Sequence, residues 1–184
     1  TALQTVVRSG DQGHLSMESF SCPAGSNHWT RHFTAKLISE VEEHPIAVDR
    51  EALEKECDQV AEPSAFYRKM QEVGLNYGPD FQTIQKLSYS KSEVLAHLKT
   101  NSDIRGFFIA PTLLDGALHC LAVGLLQEDD GNLFLPVEIG SFHCFGSVEN
   151  EVWCHAQWLQ SDGNLRTANL TLFYESGEVA AKIQ

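Results

Sequence analysis

Between residues 111 and 127, Leu113, Leu114, Ala117, Leu118, Leu121, Ala122 and Leu125 recur at helical spacing, and the Glu128-Asp129-Asp130-Gly131 turn stops them. The apolar stripe covers most of the helix circumference, so other elements have to surround this helix. Strand patterns lie on both sides of it: residues 82–89, 93–98 and a short 107–109 before it, and 133–139, 141–145, 151–159, 166–174 and 178–183 after it. These are enough to enclose one helix. The expected architecture is α+β, a long central helix wrapped by an antiparallel sheet.

Upstream, Leu3, Thr5 and Val7, then Leu15, Met17 and Ser19, alternate around a Ser9-Gly10-Asp11-Gln12-Gly13 turn, which predicts a hairpin. A third strand is predicted over 28–38, with Trp29, Phe33 and Leu37 as its apolar markers. Three strands without a helix leave an apolar face to be covered. Residues 41–62 turn acidic and interrupted, through Glu42, Glu43, Pro45, Asp49, Glu51, Glu54 and Glu56, and read as a linker. Ser64 is placed to cap a short helix with Phe66, Met70 and Val73 on one side and Gly74 at its end. The expected division is 1–40, 41–62 and 63–184.

Thirteen basic against 25 acidic residues give a formal charge of -12, a field that repels phosphate backbones and anionic lipid. Nucleic acid and membrane surfaces are therefore not expected partners. The five cysteines are far apart and include no CxxC pair, which fits reduced thiols in the cytoplasm and no metal site. No apolar run approaches the roughly 18 residues that cross a bilayer, and no leader pattern opens the chain.

Asp115 is a carboxylate near the start of the most apolar helix in the sequence. The helix N-terminus favours its anion, and the surrounding leucines favour the neutral acid. A proton held there is available to a departing hydroxyl, as general acid catalysis requires. The competing structural role is a first-turn carboxylate bonded to free backbone N–H groups. His119, four residues on, shares the helix face with Asp115 and is placed to orient it.

The run Pro111-Thr112-Leu113-Leu114-Asp115-Gly116-Ala117-Leu118-His119 resembles the second catalytic motif of polyketide synthase dehydratases: proline, then leucine-aspartate, ending in glutamine or histidine. Gly74-Leu75-Asn76-Tyr77-Gly78-Pro79-Asp80-Phe81 resembles that family's glycine-tyrosine-x-tyrosine-glycine-proline-x-phenylalanine signature, and Leu135-Pro136-Val137 its leucine-proline strand. The early segment with Trp29 and His32 is similar to the end of the family's N-terminal half. The resemblance implies a double hotdog fold, with 1–40 as the final strands of the N-terminal hotdog and 63–184 as the C-terminal one. It also implies loss of water from a 3-hydroxyacyl chain carried on the phosphopantetheine arm of an acyl carrier protein. No bound cofactor is implied. Asp115 would protonate the departing β-hydroxyl with His119 in support, and Tyr77, Gly78, Pro79, Pro111, Leu114, Leu135 and Pro136 would line the substrate site. Neighbouring synthase domains and a homodimer are the implied partners.

Two positions depart from the family pattern, and one motif is missing. Ala110 stands where a histidine often precedes the proline, and Leu75 replaces the first tyrosine of the glycine-rich signature. More important, the family's histidine-x3-glycine-x4-proline motif, which supplies the base, has no match: His14 and Pro23 have its spacing, but Glu18 occupies the glycine position. His44-Pro45 lacks the glycine too. These 184 residues are thus expected to hold an acid without its base and to be inactive alone. A non-catalytic scaffold, or a related isomerase or cyclase, are the alternatives.

Overall fold

A computed structural model describes residues 1–10, 14–38, 45–101, 105–123, 135–162 and 165–184. The chain divides into two compact units, 1–44 and 45–184.

The first unit is a three-stranded antiparallel sheet, β1 (Ala2–Ser9), β2 (Leu15–Cys22) and β3 (Thr30–Leu37), in the order β1-β2-β3. The register pairs Val7 with Met17 and Met17 with Ala35, so Leu3, Val7, Leu15, Met17, Phe33 and Leu37 share one face. The predicted hairpin and third strand are both present; residues 11–13 of the turn lie outside the described residues. On the opposite face, Glu18 pairs with Arg8 and with Arg31, the latter at 3.2 Å.

The second unit is built on a seven-stranded antiparallel sheet. Its strands are β4 (Gln59–Ala61), β5 (Ile84–Tyr89), β6 (Glu93–Lys99), β7 (Phe142–Cys144), β8 (Glu151–Asp162), β9 (Leu165–Phe173) and β10 (Val179–Ile183), in the order β4-β5-β6-β8-β9-β10-β7. Helix α3 (Pro111–His119) packs on β6, β8 and β9. Leu113 and Ala117 meet Val94, Leu98, Val152, Cys154, Leu170 and Leu172 in the main core. Alternation along each strand puts these residues on one face of the sheet, which is the predicted wrapping of the apolar helix.

The sheet is also covered on its other face, which the sequence reading missed. Within the stretch read as a linker, α1 (Arg50–Glu56) and β4 both form. Asp49 caps α1 by accepting the Ala52 N–H at 3.1 Å. Leu53 and Cys57 then bury against Leu95, Trp153 and Phe173. The incoming backbone is held where the Val48 N–H donates to the Gly177 carbonyl at 2.8 Å. Gly177 has φ +87°, and a Cβ there would stand 2.5 Å from the Val48 carbonyl oxygen, so glycine is required twice over. Acidic composition reported only the solvent side of this short helix.

Smaller differences have local causes. Helix α2 (Pro63–Glu72) begins at Pro63 with Glu62 before it, rather than at a Ser64 cap, because proline pre-sets the first helical residue. Of its predicted apolar side, Phe66 and Met70 are buried and Val73 is exposed. Helix α3 ends at His119 and passes into a tighter helical turn over Cys120–Val123; residues 124–127 of the predicted helix lie outside the described residues. Residues 107–109 form no strand, nor do 135–139 of the predicted 133–139 strand; Leu135, Val137 and Ile139 are exposed. The apolar pattern is there without a partner strand.

Candidate active site

Helix α3 carries the candidate chemistry. Pro111 opens it, and the Leu113 and Leu114 N–H groups both donate to the Ala110 carbonyl. Asp115 lies beyond the first turn and caps nothing, so the expected first-turn capping role does not apply. Gly116 follows it on the buried side, and His119 closes the helix.

His119 is 3% exposed, and its Nε2 lies 3.0 Å from Asp115 Oδ2, whose side chain is 35% exposed. The approach is out of line with the ring N–H, so this is a close charge–dipole contact rather than an in-line hydrogen bond. Burial lowers the pKa of His119 and so favours the neutral imidazole near neutral pH, while the adjacent Asp115 carboxylate pulls the other way by favouring the imidazolium. One carboxylate oxygen thus faces the buried ring, and the group as a whole keeps partial access to solvent.

Two tyrosines flank the pair. The Tyr77 ring is tilted against His119 with centroids 4.0 Å apart, and its hydroxyl pKa is raised by burial and then by Asp115. Tyr67, from α2, is buried with its Oη 3.4 Å from His119 Nδ1, and burial pushes its pKa up to about 12. A cavity of about 370 Å³ is lined by Tyr67, Gln71, Asn76, Tyr77, Gly78 and Gln82. The Gln82 amide holds its rim by donating to the Tyr77 carbonyl at 2.8 Å.

Of the residues expected at the site, Asp115, His119 and Tyr77 come together, and Gly78 lines the adjoining cavity. Pro79 begins a single helical turn, Pro79–Phe81, and is exposed. Pro111 and Leu114 keep their places on α3, exposed and half-buried respectively. Leu135 and Pro136 lie on an exposed segment and are not among the cavity's lining residues. Tyr67, Gln71, Asn76 and Gln82 were not expected. For Tyr67 a signal existed: a tyrosine beside the buried face of an amphipathic helix needs a partner for its hydroxyl.

Among the described residues there is no cluster of three metal-ligating side chains. No helix among them is long and apolar enough to cross a membrane.

An antiparallel sheet curled about an apolar helix that carries a carboxylate and a histidine on one face is the α+β hotdog class. Residues 45–184 match the family described as "Polyketide synthase dehydratase N-terminal domain", and the chain belongs to the polyketide synthase dehydratases. It is similar to polyketide synthase PksN of Bacillus subtilis (strain 168), 24% identical over 95% of this chain and 3% of that protein. It is also similar to polyketide synthase GfsA of Streptomyces halstedii, 32% identical over 79% of this chain and 2% of that one. The dehydratase domain from the CurK module of curacin polyketide synthase superposes with a TM-score of 0.86 at 26% identity, covering 99% of this chain and 66% of that one. Two further structures are of inactive mutants of the CurK dehydratase, one with a histidine replaced by phenylalanine and one with an aspartate replaced by asparagine. This chain therefore spans a few per cent of the synthases and just under two thirds of the solved domain. The matching family's description names an N-terminal domain.

Proposed function

We propose that this chain is the acid-bearing part of a dehydratase that removes water from a 3-hydroxyacyl thioester held on the phosphopantetheine arm of an acyl carrier protein. Residues 63–184 are read as the later hotdog of a double hotdog and residues 1–40 as the last strands of the earlier one, with 41–62 between them in sequence. Neighbouring domains of a synthase and a second copy of the domain are the partners this reading carries.

The chemistry follows from one carboxyl group. As the bond between the β-carbon and its hydroxyl oxygen breaks, Asp115 gives its proton to that oxygen and water departs. The electrons of the α-carbon's C–H bond become the new double bond, and a base takes the α-proton. In this family that base is a histidine of the N-terminal motif for which the sequence has no match. The observation that carries the reading is Asp115 itself: partly open on its outer side, with Oδ2 held against buried His119 and Tyr77 closing over the ring. The inactivity of the CurK dehydratase when an aspartate becomes asparagine supports it by analogy.

The test is Asp115→Asn in the intact gene product. Water loss from a 3-hydroxyacyl thioester, followed by mass spectrometry, is expected to fall at least ~100-fold, with the circular dichroism spectrum unchanged. Near-normal turnover overturns the assignment.

A further inference from the structure

We propose that Tyr67 is a positioning residue: its hydroxyl fixes His119 as the tautomer protonated at Nε2, so that the proton of Asp115 goes to substrate rather than to His119. This rests on reading Asp115 as the acid.

A neutral imidazole has one N–H and one bare nitrogen, and what each nitrogen faces decides which is which. His119 faces Tyr67 Oη with Nδ1 at 3.4 Å and Asp115 Oδ2 with Nε2 at 3.0 Å. Tyr67 Oη already accepts the backbone N–H of Ile84 at 3.2 Å. One acceptor position of Oη is occupied by that N–H and burial keeps the hydroxyl protonated, so the O–H is left to donate, with the ring nitrogen within its reach. The Phe81 carbonyl, at 3.5 Å, is the competing acceptor for the same O–H. When Nδ1 receives the O–H, the ring proton sits on Nε2 and points to Asp115.

The consequence is chemical. An Nε2–H donating to Oδ2 leaves Oδ1 as the oxygen that carries the acid proton toward substrate. With the opposite tautomer, a bare Nε2 would accept that same proton and hold it away from the β-hydroxyl. In the productive arrangement the proton passes from Oδ1 to the departing oxygen, the carbon–oxygen bond breaks, and Asp115 is left as a carboxylate still bonded to Nε2–H. No proton passes through His119 or Tyr67. Long or bent catalytic hydrogen bonds, such as the 3.4 Å contact and the out-of-line Nε2 approach, are of the kind that tighten in a reacting complex.

Histidine-selective 15N NMR of the 184-residue chain at neutral pH reads the tautomer directly. The His119 signals are identified by their loss in His119→Asn. The expected result is a protonated Nε2 and a bare Nδ1 in the native protein, with Tyr67→Phe moving population toward the other tautomer. Phenylalanine keeps the ring that packs edge-on against Phe66 at 5.3 Å, and thermal unfolding of the variant monitors any loss of fold. A native His119 protonated at Nδ1 overturns the proposal even if the variant fails to fold, as does an unchanged tautomer in a folded Tyr67→Phe. In the intact gene product the same variant is expected to lower kcat by about tenfold or more with KM unchanged, as loss of a tautomer-fixing group does; a change confined to KM overturns the role. Because the tautomer is read without activity, its failure is distinguishable from failure of the dehydratase reading, which Asp115→Asn tests.

Discussion

Gly116 approaches Thr83 so closely that a Cβ at position 116 would stand 2.0 Å from Thr83 Oγ1. Thr83 is 1% exposed, and the Leu98 side chain lies 3.7 Å from the same point, so nothing nearby is free to withdraw. The residue after the catalytic candidate is therefore what lets α3 sit down on its sheet.

Gly116→Ala raises intrinsic helix propensity by about 1 kcal/mol and introduces a buried overlap that typically costs about 1–3 kcal/mol. The overlap is expected to win or to cancel the gain, because Thr83 Oγ1 also contacts the Thr112 carbonyl, at 3.5 Å. Urea unfolding measures the balance; a variant clearly more stable than the native chain contradicts the close approach.

Leu53→Ala tests whether residues 50–56 belong to the fold. Leu53 is 9% exposed and packs with Cys57, Leu95, Trp153 and Phe173. Truncation is expected to cost about 2–4 kcal/mol, read as a lower urea midpoint at unchanged slope. A linker residue would show no effect.

Acid lowers stability through buried histidine. Burial depresses the pKa of His119, and likewise that of His97. Below the ordinary histidine pKa of about 6.5, the unfolded chain takes up protons that the folded one refuses. Stability is then lost as pH falls through that range and levels off below the folded pKa. His119→Asn is expected to flatten this dependence between pH 7.5 and 5; parallel curves for variant and native chain would show that His119 is not held neutral.

The central helix, the strands around it and the three-stranded opening segment were legible because each repeats a period: 3.6 residues in 111–123, two residues in β1, β2 and β3. The Asp115–His119 pair was legible because spacing of four on one helix allows little else. The acidic stretch misled, since α1 is seven residues long and buries one leucine, too few to raise a periodic signal. At 135–139 the error ran the other way: apolar residues in sequence found no strand to pair with.

By itself, then, the sequence determined the α+β class, the helix that carries Asp115 and the histidine beside it, because these rest on local periodicity and on contacts within one turn. Only tertiary structure decided that Tyr67 meets His119 across 52 residues of chain, that Tyr77 closes on the same ring, and that α1 covers the second face of the sheet. Such contacts join segments whose separate patterns say nothing of one another, and packing alone selects which buried hydroxyl finds which buried nitrogen.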